Sequence, residues 1–510
     1  LKELKIIIPR YRNWSKNIIN AYTHKSNLII EKYKKRFNAN VLVKNSSNSI
    51  CKLPARVRIS GDFRDHIRMG NGDIISSLDI SLREGNIFGI TKFKLFLPEA
   101  RNGDSEVFIS LLLKEMGYLS PRTKILMVDF NNQSYKMIFQ EKATKEMLEN
   151  NKLRESAILE SDESLMWEIR SKGGSQNNSN IFPRIINDKW TKKSEINQEI
   201  GLNGAKIFAK AIVESWNRRG IDSEFSFSDY LLSNGNAKNR KILSRFKAHL
   251  LASRGHHALI NHNRRFYFDP IKKSLLPIYY DGMSNILDLE NNIPLSSDEN
   301  HKTRDINYED YNFAINEINA IDLENFHAKL NSSGVNIEKT DLKKVKNKLI
   351  KNLIELREKD QLILGNKFEN NPLLRKINRD INVNYGLILF SNSNKNFYSC
   401  NFKKDKCKKI ILNKEELNKL LGGNFLKDET KYFFLGDNFD PFTKNYSKDR
   451  PKQYKLLQID NDIFIEKFGN PEINVDKINK SITIKIKNFE EKILIYNSNI
   501  KGWEINVLAN

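Results

Sequence analysis

The sequence predicts an α+β fold in which a strand-rich segment, a helical segment and a second strand-rich segment follow one another. Three observations carry this. Between Leu53 and Phe96, β-branched and aromatic residues alternate with polar ones and are broken by glycines. Leu342, Val345, Leu349, Leu353 and Leu356 recur at helical spacing. Near the end the pattern returns to short alternating runs such as Ile482-Thr483-Ile484-Lys485-Ile486. A chain of 510 residues, 39% hydrophobic, can bury several cores, and length alone suggests about two to four domains.

The first unit, residues 1–52, sets Ile18-Ile19 and Leu28-Ile29-Ile30 among clustered basic residues and reads as a leader of one or two surface helices. Residues 53–165 read as a strand-rich lobe, punctuated as hairpins at Gly61, Gly70-Asn71-Gly72, Gly85-Asn86 and Gly89. A strand over Phe93 to Leu97 stops at Pro98, and a helix follows from about Asp104, its N-cap, to Met116, with Gly117 as the stop. Strands over Lys124 to Phe130 and Tyr135 to Glu141 meet at Asn131-Asn132, residues suited to left-handed turn conformations. Residues 166–365 read as a helical lobe closing on an amphipathic helix after Thr340-Asp341, its lysines forming a solvated face. Residues 366–510 read as a β-rich domain, either a sandwich or a solenoid-like stack, with strands at Ile381 to Phe390, Lys409 to Leu412, Lys431 to Leu435, Ser481 to Ile486 and Lys492 to Tyr496.

A net charge of +23 attracts anionic polymers and surfaces without selecting one, and abundant Asn, Lys and Ile also fit an AT-rich coding bias. No nucleic-acid reading motif accompanies the charge, so a specific nucleic-acid partner is not expected. No run of about 18 apolar residues occurs, so no membrane span is expected in this sequence. The chain begins with Leu1, which leaves room for an upstream signal or anchor. Cys51, Cys400 and Cys407 make neither a zinc cluster nor a disulfide framework, although Cys400 and Cys407 could clip a hairpin.

Several stretches share an order with a known family. They are Ala55-Arg56-Val57-Arg58-Ile59-Ser60-Gly61-Asp62, Phe93-Lys94-Leu95-Phe96-Leu97-Pro98, Glu106-Val107-Phe108, Gly117-Tyr118-Leu119-Ser120-Pro121-Arg122-Thr123, and Phe139-Gln140-Glu141-Lys142 with Arg154-Glu155. The most telling is Ile260-Asn261-His262-Asn263-Arg264-Arg265-Phe266-Tyr267-Phe268-Asp269-Pro270 with Pro277-Ile278-Tyr279-Tyr280-Asp281-Gly282. Over about residues 53–286 the chain resembles the spore-coat protein H (CotH) family of kinase-like proteins. The resemblance implies an atypical protein-kinase-like two-lobed domain, ATP with Mg2+, and phosphoryl transfer to a hydroxyl of a protein substrate, with a bacterial cell-envelope setting and a cell-surface acceptor as the associated expectations.

Residue chemistry indicates where such a site would lie. Magnesium selects oxygen donors, and Asn263 and Asp281 flank a predicted hairpin that returns both to one end. Lys94 on its strand and Glu106 on the next helix have the order of a phosphate-binding cation and its carboxylate partner, with Lys92 on the same strand face. Arg58 and Arg122 are alternative phosphate cations, and Gly70-Asn71-Gly72 could approach a phosphate, although no P-loop is present. The family usually carries an aspartate shortly before the Asn segment, whereas no carboxylate lies between Leu250 and Asn263. His257 is the candidate base in its place. Three functions stay open: an active kinase, a nucleotide-binding pseudokinase, and a noncatalytic basic protein binding polyanions or the cell envelope.

Overall fold

A computed structural model describes residues 3–44, 49–70, 73–163, 167, 182–217, 227–290 and 306–367, together with strands and one turn between Gly386 and Ala509. The Asn71-Gly72 part of the expected Gly-rich turn lies outside the described residues, as do the first residues of the strand expected from Ile381.

Extended segments must pair their backbone groups, and the N-terminal strands do so by closing on themselves. β1 (Glu3–Ile7), β2 (Phe37–Lys44), β3 (Ile50–Ile59), β6 (Leu78–Leu82), β7 (Lys92–Phe96), β9 (Gln133–Glu141) and β8 (Thr123–Phe130) form a closed barrel in that order. β4 (Ile67–Gly70) and β5 (Asp73–Ser76) pair as a separate hairpin. Neighbours in the barrel are antiparallel except β1 and β8, whose parallel pairing closes the ring.

The closed seven-stranded barrel, with ten helices among the described residues, overturns the two-lobed kinase-like fold expected from the resemblance. The physical reason lies in the stretch read as a helical leader. It holds one helix, α1 (Tyr11–Tyr22), but also β1 and all of β2, and these two strands cover the edges that an open sheet would expose.

Alternation along the strands decides what faces where. Leu4, Ile6, Val41, Val57, Ile80, Phe93, Leu95, Met137 and Phe139 are buried in one cluster inside the barrel. The opposite face of the wall therefore carries Arg58, Asp79, Lys94 and Gln140. The register aligns them in a single row, with Arg58 opposite Asp79, Asp79 opposite Lys94, and Lys94 opposite Gln140.

Local signals in this half act as their residues require. Asn131 and Asn132 both take positive φ, 50° and 72°, in the β8–β9 turn. α2 (Asp104–Glu115) stops where Gly117 turns left-handed and Tyr118 N–H bonds back to Leu113 O at 2.9 Å. Its N-cap is Gly103 rather than Asp104, which instead pairs with Lys136 at 3.1 Å.

After α3 (Lys145–Asn150), the chain builds a second sheet, β11-β10-β12-β13, from β10 (Ile158–Asp162), β11 (Phe182–Ile185), β12 (Arg265–Asp269) and β13 (Ser274–Ile278). Among the described residues seven further helices surround it or follow it: α4 (Asp188–Thr191), α5 (Glu195–Asn217), α6 (Asp229–Leu232), α7 (Ala237–Ala252), α8 (Tyr308–Asn319), α9 (Leu323–Ser332) and α10 (Lys339–Lys367). Gly204 of α5 is required by close approach, because a Cβ there would lie 2.9 Å from the Phe268 ring. Leu342, Val345, Leu349, Leu353 and Leu356 of α10 are all buried, in a cluster that also holds Phe96, Phe108 and Ile138 from the barrel and α2. Each such side chain contributes about 1.5–3 kcal/mol of gross burial. A bridge from Leu119 to Ile278, with Tyr279 N–H donating to Leu119 O at 2.8 Å, ties the end of β13 to the barrel segment.

Among the described residues the tail contains three small sheets. Gly386–Ser391, Asn396–Asn401, Lys406–Ile410 and Tyr432–Gly436 form a four-stranded sheet whose register sets Cys400 opposite Cys407. The strands expected over Ser481 to Ile486 and Lys492 to Tyr496 form as Ser481–Ile486 and Lys492–Asn497, in two separate three-stranded sheets.

Candidate functional site

Two short segments that leave strands meet over the outer face of β7. From the barrel, β7 runs through Leu97 into a single helical turn, Pro98–Arg101, and then through left-handed Asn102 into α2. From the second sheet, β13 runs into Tyr279, Tyr280, Asp281 and Gly282, with Asp281 at φ 56° and Met283 at φ 48°. Asn102 Nδ2 donates to Met283 O at 2.6 Å and fastens one turn to the other. Gly282 is needed for contact, since a Cβ there would lie 2.6 Å from the Tyr279 hydroxyl, to which Gly282 N–H donates at 3.3 Å.

Tyr280 lies at the centre, half-buried. Lys94 Nζ donates to its hydroxyl at 3.1 Å and Arg101 Nη2 donates at 3.0 Å. The Arg265 guanidinium lies 3.4 Å from the ring centroid and also pairs with Glu160 at 3.0 Å. Burial pushes the Tyr280 phenol up, but the charges of Lys94, Arg101 and Arg265 outweigh it and bring it down to about 7.

Beside it, the buried Arg101 guanidinium forms an ion pair with the Asp281 carboxylate. His257 Nδ1 lies 3.0 Å from the Asp281 backbone oxygen, to which it donates in one tautomer, and 3.4 Å from Asp281 Oδ1. Asn263 Nδ2 lies 3.1 Å from the same imidazole nitrogen and donates to His257 O at 3.0 Å. Thus the fold gathers His257, Asn263 and Asp281 into one cluster, although Asp281 lies 24 residues after His257. Burial, then Arg101 and His256, bring His257 down to about 4, so it is neutral at pH 7 and a weak base.

Other expected site residues are engaged elsewhere. No Lys94–Glu106 ion pair forms: Glu106 is fully buried and accepts from Tyr279 Oη at 2.6 Å and Gln140 Nε2 at 3.0 Å. The register explains this, because Gln140 stands opposite Lys94 and takes the place beside Glu106. Burial raises the Glu106 carboxyl, opposed mainly by Arg101. Arg58 donates to Asp79 at 3.1 Å, and Asp79 also meets Arg36 at 3.4 Å and Lys142 at 3.0 Å. Arg122 is a structural fork on Glu141, at 2.9 Å from Nε, with Nη1 donating to Phe88 O at 2.6 Å.

Arg101 and Tyr280 are the residues that sequence reasoning missed. Arg101 sits in a Pro-initiated turn that carries no motif, and Tyr280 reads as one more aromatic before Asp-Gly. The available signal was Tyr280's adjacency to a candidate metal ligand.

The donor set can be tested against nucleotide and magnesium. Arg101 Nε is buried without a hydrogen-bond acceptor, and Asp281 Oδ1 is buried with no hydrogen bond of good geometry although Arg101 and His257 lie against it. An anionic phosphate oxygen would satisfy the first and a cation the second. Among the described residues no group of three or more His, Cys, Asp and Glu side chains is placed to hold a metal ion. Asp281 and Asn263 fit the few protein ligands that magnesium takes when phosphate and water complete its shell. No helix among the described residues is long and apolar enough to cross a membrane. No protein-family model matches the chain, and no curated protein matches it.

Proposed function

We propose that the chain binds magnesium-ATP where β7 meets the Tyr280-Asp281 turn and transfers the terminal phosphoryl group to a hydroxyl of a protein acceptor. The observation that carries this reading is the convergence of Lys94, Arg101, Asp281, Asn263 and His257 from sequence-distant segments on one place. Lys94 and Arg101 take phosphate oxygens, for which charge-assisted donors are the strong partners. Asp281 and Asn263 would hold magnesium, which bridges phosphate oxygens and neutralises developing charge when bound. His257 positions the Asp281 loop through its Nδ1 contact and keeps Asn263 in place.

A second reading is supported by two specific features: His257 is held near 4, and no carboxylate lies between Leu250 and Asn263. Under it the site binds nucleotide without turnover.

The test is transfer of labelled γ-phosphate from magnesium-ATP to protein acceptors and to water, with Lys94→Met and Asp281→Asn alongside. The first reading expects label transfer by the parent and its loss in both variants. The second expects nucleotide binding with no label transferred. Absence of nucleotide binding would refute both.

A further inference from the structure

We propose that Tyr280 is the positioning residue of this site, its hydroxyl holding Lys94 and Arg101 side by side to grip the polyphosphate part of the nucleotide. The inference rests on the phosphoryl-transfer reading above and gives a role to a residue that reading leaves without one.

Two cations do not stay together unaided, because like charges a few ångströms apart repel. Here one oxygen joins them. Lys94 Nζ donates to Tyr280 Oη at 3.1 Å and Arg101 Nη2 donates to it at 3.0 Å, so the two nitrogens lie no farther apart than those bonds laid end to end. Both charges also share the same two rings. Lys94 Nζ lies 5.3 Å from the Phe96 centroid and 5.2 Å from the Tyr280 centroid, and the Arg101 guanidinium lies 4.4 and 5.0 Å from them. Ring faces and a hydroxyl hold a cation without pairing off its charge as a carboxylate does. A phenolic oxygen accepts both bonds whether or not it keeps its own proton, so the role needs no change of protonation.

The elements around Tyr280 leave these two cations to it. On the barrel wall the register sets Asp79 opposite Lys94, yet Arg36, Arg58 and Lys142 occupy that carboxylate. Lys94 turns to the hydroxyl instead. Arg101 is divided: Nη1 faces Asp281, Nη2 goes to Tyr280, and the buried Nε has no acceptor. The Tyr280 ring is itself fixed, with the Arg265 guanidinium 3.4 Å from its centroid and Arg265 anchored on Glu160 at 3.0 Å. Arg184 holds the other Glu160 oxygen. What stays available is what phosphate oxygens take, the remaining ammonium hydrogens of Lys94 and the Nε hydrogen of Arg101. Without the hydroxyl, the Lys94 side chain loses the hydrogen bond it makes among the described residues, and nothing then holds it beside Arg101 against their repulsion.

The probe is inorganic pyrophosphate without magnesium, titrated calorimetrically into the full chain. A pH of about 6, well below the usual phenol value of about 10, ensures that Tyr280→Phe removes no charge while keeping the ring. Tyr280→Phe should weaken pyrophosphate binding about ten-fold, the scale of a hydrogen bond to a charged group. Because the hydroxyl acts through Lys94, the same substitution in a Lys94→Met background should cost about three-fold or less. In label transfer, Tyr280→Phe should raise KM for magnesium-ATP about ten-fold and leave kcat within about two-fold. Equal pyrophosphate binding by the parent and Tyr280→Phe, or an equal loss with and without Lys94, would overturn the positioning role. So would a parent that magnesium-ATP stabilises but that takes up no pyrophosphate, and in each of these cases the phosphoryl-transfer reading stands. A parent that binds neither pyrophosphate nor magnesium-ATP would overturn both.

Discussion

Two acidic groups in this molecule are each ringed by three cations, and Lys94 stands between them. Asp79 on β6 meets Arg36, Arg58 and Lys142, while Tyr280 meets Lys94, Arg101 and Arg265. Asp79 carries a carboxyl, intrinsically far more acidic than a phenol, and is 1% exposed. Burial pushes its carboxyl up, but Lys142, Arg58 and Arg36 outweigh that and hold it far below the usual carboxylate range. It is therefore a fixed counterion across physiological pH. Tyr280 is a weak acid that the same kind of ring brings to about 7, and it is half-buried. Equal cation counts thus give a permanent brace in one place and a group able to exchange a proton in the other. What separates them is the intrinsic acidity of the group and its access to solvent.

The largest difference should appear on deleting the two acidic groups. Asp79→Ala leaves three cations facing one another and should cost about 3 kcal/mol in denaturant unfolding, at the low end for a broken buried pair. The discount reflects cations that reach water, with side chains 31, 30 and 27% exposed. Tyr280→Phe should cost far less at a pH of about 6, where the phenol is protonated. Equal costs would remove the distinction between brace and exchangeable group.

Next in size is the response to acid. Burial is the first cause lowering His66 to about 3 and His257 and His262 to about 4. These groups are neutral in the fold but bind protons at about 6.5 when unfolded. Their contribution is complete above about 6.5 and is lost as pH falls toward about 4. Asp79, depressed in the fold, contributes fully above its unfolded value of about 3.9 and loses that only at lower pH. Stability should therefore begin to fall well before Asp79 protonates, and His257→Gln should flatten part of that first limb. A parent curve flat from neutrality down to about pH 4 would contradict this.

The last difference belongs to Tyr280 itself. Its folded value of about 7 lies below the unfolded value of about 10, so its contribution grows as pH rises between the two and is absent below about 7. The parent should gain stability over Tyr280→Phe across that interval. A constant difference would show that the ring of cations does not favour the phenolate.

Legibility in the sequence followed how local each determinant is. The Asn131-Asn132 turn, the Gly117 stop and the buried stripe of α10 depend on neighbours within a few residues, and each forms where its residues predict. The barrel does not, because β1 pairs with β8 from more than a hundred residues away and no pattern in Glu3–Ile7 names that partner. The site divides the same way. His257, Asn263 and Asp281 lie within one hairpin and its approach and come together, while Lys94 and Glu106 fail to pair because register gives Gln140 the place between them. Arg101 and Tyr280 acquire meaning only when two distant turns meet.

The most direct test of the magnesium-nucleotide reading is thermal unfolding of the full chain and of Asp281→Asn, with ATP alone and with magnesium-ATP. Asn tolerates the left-handed backbone that Asp281 occupies, so the variant removes charge while sparing the turn. At a ligand concentration about a hundred-fold above Kd, binding should stabilise the parent by about 2.7 kcal/mol. The magnesium-dependent part of that gain should vanish in Asp281→Asn. Equal magnesium-ATP stabilisation of the two proteins, or none in the parent, would contradict the assignment.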